Sequence, residues 1–107
     1  MAAKNSYQLN RSGDITYGKN VLRSIITLAA KEITGVAALH GKGIKIDYAG
    51  NTINVEVFLN VYYGNNVSDV AFRVQENIKR SVETMSGYKV GAINVSVLGV
   101  SFSTEEV

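Results

Sequence analysis

Ile53-Asn54-Val55-Glu56-Val57-Phe58-Leu59-Asn60-Val61-Tyr62 decides the fold. Every odd position is aliphatic. The even positions hold Asn54, Glu56, Phe58, Asn60 and Tyr62. A period of two over ten residues is the signature of a strand with one dry face and one mostly polar face. Upstream, Ile44, Ile46 and Tyr48 interleave with Lys45 and Asp47, and Ala49-Gly50-Asn51 is a turn signal. The two runs therefore pair as an antiparallel hairpin. Val36–His40 adds a short extension ahead of the glycine-flanked loop Gly41-Lys42-Gly43.

On either side of the hairpin the period changes from two to 3.6. Val21, Leu22, Ile25, Ile26, Leu28, Ala29, Ala30 and Ile33 recur at spacings of three and four, which makes one wide apolar stripe on a helix. Gly35 follows, where a left-handed residue closes a helix. After the hairpin, Gly64-Asn65-Asn66 stops the strand. Asn66 is placed to cap a second helix, with Asp69 three residues on. Val67, Val70, Ala71, Val74, Ile78, Val82 and Met85 line one side of that helix, and Gly87 ends it. Asp69–Arg73 and Glu76–Arg80 are spaced as ion pairs on its wet side. Ile93, Val95 and Val97 then alternate in a last strand. Past Gly99 the apolar phase slips to Val100 and Phe102, as a β-bulge produces.

The expected fold class is α+β, in the order (β)α-ββ-αβ. It is a two-layer sandwich, with two helices packed on one face of a mostly antiparallel sheet of three to four strands. The expected organisation is a flexible N-terminal arm over 1–12, one domain over 13–102, and an acidic tail over 103–107. The leading short strand is Asp14-Ile15-Thr16-Tyr17. The second sheet face stays open.

Composition removes most chemistries. The chain has 107 residues, no Cys, no Pro, no Trp and one His, with 46% hydrophobic and 19% charged residues. Without Cys there is no disulfide, thiolate metal site or cysteine nucleophile. A net charge of +2 is too small to imply nucleic acid. The opening Met1–Gln8 lacks the apolar core of a secretory signal, and residue 2 is Ala rather than the Gly of myristoylation. No apolar run nears the ~18 residues of a membrane helix. The expectation is a cytoplasmic protein that does not insert into a membrane itself.

No motif supplies a catalytic, cofactor-binding or metal site. Gly13-Asp14-Ile15-Thr16-Tyr17-Gly18-Lys19-Asn20 comes close to a phosphate loop, but Asn20 stands where a hydroxyl should hold magnesium. No apolar strand ending in Asp follows to complete such a site. His40 has no orienting carboxylate or nucleophile at a telling spacing. The candidate interface residues are aromatic and basic. Phe58 and Tyr62 lie on the open sheet face, near Lys45. Phe72, Arg73 and Arg80 lie on the wet side of the second helix. Exposed sheet aromatics can stack bases, and the helix-strand order also suggests a KH-like fold binding single-stranded RNA. However, no Gly-x-x-Gly clamp occurs, and Glu56 on the same face opposes phosphate. A protein interface is the favoured reading of these residues and nucleic acid the weaker one.

With the elements placed, the chain resembles the alkaline-shock protein family of bacterial envelope-stress proteins. The resemblance is carried by Gly13-Asp14-Ile15, Glu32-Ile33-Thr34-Gly35-Val36-Ala37 and Val61-Tyr62-Tyr63-Gly64. It continues through Val70-Ala71-Phe72-Arg73-Val74-Gln75-Glu76-Asn77-Ile78-Lys79 and Met85-Ser86-Gly87-Tyr88-Lys89-Val90. It ends with Ile93-Asn94-Val95-Ser96-Val97-Leu98-Gly99-Val100-Ser101-Phe102. The resemblance implies a non-enzymatic cytoplasmic protein of the envelope stress response. It implies self-association into a homo-oligomer and docking to a membrane-anchored partner at the inner side of the membrane. It brings no catalytic residues and no cofactor. Gln75, at the edge of the apolar stripe, is placed for its amide to bridge helix and sheet.

Overall fold

The computed structural model describes residues 7–9, 15–17 and 19–102, with side chains from Asn20 onward except at 41–43. The remaining arm residues, the tail 103–107, and Gly13, Asp14 and Gly18 of the phosphate-loop-like stretch lie outside the described residues. Two short strands, β1 (Tyr7–Leu9) and β2 (Ile15–Tyr17), pair antiparallel. Helix α1 (Lys19–Lys31), strands β3 (Val36–Ala49) and β4 (Thr52–Tyr62), helix α2 (Val67–Ser86) and strand β5 (Lys89–Ser101) follow.

The main sheet has the order β3-β4-β5. β3 and β4 pair antiparallel across the two-residue loop Gly50-Asn51. Gly50 takes φ +65° while Asn51 keeps a negative φ, the pattern of a type II′ turn. β4 and β5 pair in parallel. This follows from α2: a helix that returns the chain along the sheet makes the next strand run the same way. Among the described residues the main sheet thus has one antiparallel and one parallel pairing, and the separate β1–β2 pair is antiparallel.

Both helices cover one face. α1 packs on β3, α2 on β5, and each on the other. The odd residues of β4 are sealed beneath them. Ile53, Val57 and Leu59 are fully buried, as are Leu22 and Ile26 of α1 and Val74, Ile78 and Val82 of α2. The core is aliphatic throughout. Asn66 accepts a 3.0 Å hydrogen bond from the Asp69 amide, which starts α2, and Gly87 closes it at φ +83°. Gly35 takes φ +105°, and a Cβ there would meet Val70 Cγ2 at 2.9 Å. Its turn therefore sits directly against α2.

Some expectations need correction. His40 and Gly41–Gly43 are not a loop between strands but part of continuous β3. The chain bulges there, with three more residues in β3 than in β4 between the pairs Leu39↔Leu59 and Ile44↔Val57. Leu28, Val67 and Met85 fit the helical stripes by spacing, yet they are exposed, and Leu28 and Met85 line an outer groove of about 310 Å³ between α1 and α2. That groove is lined by the two helices and no strand, so Leu28 and Met85 lie where the sheet does not cover them. Val100, on the outermost strand, and Phe102, just past its end, are exposed as well.

Candidate interaction surface

Phe58 and Tyr62 project from β4 on the face opposite the helices, because side chains alternate along a strand. Phe58 pairs in register with Ser96 and Tyr62 with Ser101, so β5 offers only small side chains beside them. Lys45 Nζ sits 5.9 Å from the Phe58 ring centroid, within cation–π range. Both aromatics are half-buried rather than fully exposed. Around them the face is polar and mixed in sign. Lys45 lies opposite Glu56 and Asp47 opposite Asn54. With Asn94 these residues line a shallow recess of about 140 Å³, below the ~300–1,000 Å³ of ligand pockets.

Two asparagines of β4 lie over β5. Asn54 Oδ1 accepts from the Ala92 amide at 2.9 Å, where β5 carries an extra residue next to Gly91. A Cβ at Gly91 would stand 2.6 Å from that oxygen, so the glycine makes room for it. Leu98 is the extra residue of a second bulge, between the pairs Leu59↔Val97 and Asn60↔Gly99. That bulge sits where the sequence phase slips. Asn60 Oδ1 beside it has no hydrogen-bond partner.

Phe72, Arg73 and Arg80 lie on the other layer, so the five candidate residues form two surfaces rather than one site. Arg73 pairs with Asp69 at 3.0 Å, and both are exposed. Among the described residues Arg80 makes no ion pair, so the Glu76–Arg80 pairing read from spacing does not form. Arg80 lines an open depression with Glu76, Lys79, Glu83 and Thr84. Phe72 is 59% exposed and neighbours Gln75 on the helix surface by the i,i+3 rule. Gln75 Nε2 donates to the Ile93 carbonyl at 2.9 Å, the helix-to-sheet bridge that its place on the stripe anticipated. Asn77 ties the two helices. Its Nδ2 donates to the Ala29 carbonyl at 2.7 Å and to Glu32 Oε1 at 2.9 Å.

The sequence reading missed an apolar corner at one end of the sheet. Tyr63 and Phe102, each 69% exposed, hold their rings 5.1 Å apart. Leu98 and Val100 are exposed nearby on β5. The available signal was the stretch Val90–Thr104, which contains no charged residue. At the opposite corner, Tyr48 and Tyr88 meet edge to face at 5.7 Å. Burial raises the Tyr48 phenol above its ordinary pKa of 10.0, the neighbouring Tyr88 adds to this, and Arg23 opposes it. His40 is exposed on β3. Among the described residues no cluster of His, Cys, Asp and Glu could hold a metal ion. No helix among them is long and apolar enough to cross a membrane.

A family model described as alkaline shock protein 23, with cell envelope-related function, matches residues 7–102. The chain belongs to that family. The resemblance carried by the quoted stretches therefore holds, and the match takes in β1 as well as the α/β core. Bacillus subtilis (strain 168) YqhY is 30% identical over 109 residues, covering 87% of this chain and 81% of the relative. YloU of the same organism is 32% identical over 59 residues, covering 55% and 49%. Among solved structures, a double variant of MamM-CTD aligns with TM-score 0.62 at 19% identity, over 79% of this chain and 95% of that one. A manganese form of a MamM-CTD variant aligns at 0.57 and 20% identity, over 77% and 99%. At such identities the likeness is one of fold alone, and it agrees with the two-layer α+β architecture.

Proposed function

We propose that the protein is a non-enzymatic interaction module of the cell envelope, acting from the cytoplasmic side by self-association and by docking a membrane-anchored protein. One observation carries the reading. The chain has three Phe residues, and none lies in the core. Phe is among the side chains most often buried. Here Phe58 lies on the open sheet face, Phe72 on the outer side of α2, and Phe102 at the apolar corner. Aromatics placed outside a complete aliphatic core are what protein interfaces use as anchors. The family's envelope-related function supports the setting.

The mixed charges around Phe58 favour a protein partner over RNA. Lys45 is offset by Asp47 and Glu56 on the same face, whereas a phosphate-tracking groove needs one sign. The test is sedimentation velocity on the wild-type chain and on the double variant Phe58→Ser/Tyr62→Ser, with circular dichroism as the check on folding. The wild type sediments as an oligomer, and the folded variant shifts toward monomer. A wild type that stays monomeric at every concentration up to hundreds of micromolar contradicts self-association. Salt-sensitive retention of single-stranded RNA would favour the base-stacking use of the face instead.

A further inference from the structure

The two edges of the sheet are treated differently. The β3 edge is guarded: it is irregular between Leu39 and Ile44, carries Lys45 and Asp47, and has its Ile44 carbonyl taken by Arg23 Nη1 at 2.8 Å. Irregularity and charge are the devices that blunt an edge strand. The β5 edge is guarded only at its start. Glu83 Oε2 accepts from the Val90 amide at 2.9 Å, and Gln75 takes the Ile93 carbonyl. Beyond Ile93, among the described residues, no strand or side chain pairs with the outer edge of β5. That strand is 13 residues long. It has no proline and no charge between Lys89 and Glu105. From Ile93 to Val97, between the two bulges, it runs regularly.

We propose that Ile93–Val97 of β5 is the seam at which a second copy of this chain adds antiparallel about a two-fold axis, joining two three-stranded sheets into one of six strands. The inference deepens the self-association reading and rests on it. The occupant is a second copy because the segment is complementary to itself. A two-fold contact sets a surface against its own copy, so a charge on the axis would meet its like, and Ile93–Val97 carries no charge to oppose that pairing. Ile93, Val95 and Val97 face the helix side and are only partly buried, since α2 roofs them from one side. A copy of β5 brings the same three residues to cover them. Phe72 lies about 4.5 Å along α2 from Gln75. This places it roughly level with Asn94 and Val95, so each copy sets one exposed Phe beside the axis.

The absence of native Cys makes the experiment clean. Single cysteines are placed at Asn94, Val95 and Ser96 in turn and oxidised mildly. Opposed residues of antiparallel strands bring Cα atoms to ~4.5–5.5 Å, within disulfide reach. The residue that faces its own copy yields a covalent dimer, and a control cysteine at Thr34 does not. In parallel, Leu98→Lys and Phe72→Ser, both at exposed side chains and expected to fold normally, each raise the dimer Kd by about tenfold or more. An oligomeric wild type that gives no disulfide at any of the three positions, and is untouched by Leu98→Lys and Phe72→Ser, overturns the seam while leaving self-association through the open face standing. A wild type that is monomeric throughout overturns both.

Discussion

Gly35→Ala isolates how tightly the helix layer is keyed to the turn after α1. Gly35 holds φ +105°, and an added Cβ would approach Val70 Cγ2 at 2.9 Å and Asn65 Oδ1 at 3.1 Å. The backbone conformation alone costs an L-residue about 1–3 kcal/mol. The contact adds the cost of overpacking, about 1–3 kcal/mol, because Val70 is a buried core residue that cannot move freely. The expected loss is therefore about 2–6 kcal/mol, a large share of a typical domain's stability. Gly64→Ala is the internal control. Its φ is +98°, but a Cβ there meets nothing within 4 Å, so it reports the backbone cost alone. Urea unfolding followed by circular dichroism measures both. The reasoning predicts that Gly35→Ala loses at least 1 kcal/mol more than Gly64→Ala. Equal losses would refute the packing argument, and a loss below about 0.5 kcal/mol at both sites would refute the backbone argument as well.

Leu59→Ala, at a fully buried position beneath both helices, should cost about 2–5 kcal/mol in the same urea assay; a loss under 1 kcal/mol would place Leu59 outside the core. Asn66→Ala removes the cap that accepts from the Asp69 amide and should cost about 1 kcal/mol, with Asn66→Asp retaining most of the stability. Tyr48 holds its proton to higher pH in the fold than in the unfolded chain, because burial, and secondarily Tyr88, raise its pKa above 10.0. Its contribution is therefore complete below pH 10.0 and is lost as the pH rises through the raised value. The difference in phenolate absorbance between wild type and Tyr48→Phe should show Tyr48 ionising above its ordinary value, and a step at or below that value would contradict the burial.

The two helices and β4 were legible because each carries a single, unbroken period. β4 alternates without a fault, and the caps Asn66 and Gly87 and the bridge Gln75 stand at positions set by helix geometry. The direction of β5 was harder to see. Its residues alternate in the same way whether it pairs parallel or antiparallel, and only the length of α2 tells the chain to return. The exposure of Leu28, Val67 and Met85 was hidden because spacing reports which side of a helix a residue occupies, not how much of that side its neighbours cover. Gly41–Gly43 looked like a loop because glycine marks both a loop and a bulge. At the candidate surfaces, Phe58 and Tyr62 were readable as the wrong residue types on the polar phase of a strand. The open β5 edge was not readable in that way. Its signal is an absence of charge, and that gains meaning only once the strand is known to be outermost.

Self-association is the central proposal: the open sheet face and the outer edge of β5 are surfaces that fit a second copy of this chain. Sedimentation equilibrium of the untagged chain across a concentration series tests this most directly. The account predicts a mass that rises from the 11.6 kDa of one chain to twice that value or more as concentration increases. A mass that stays at one chain over the whole series would contradict it.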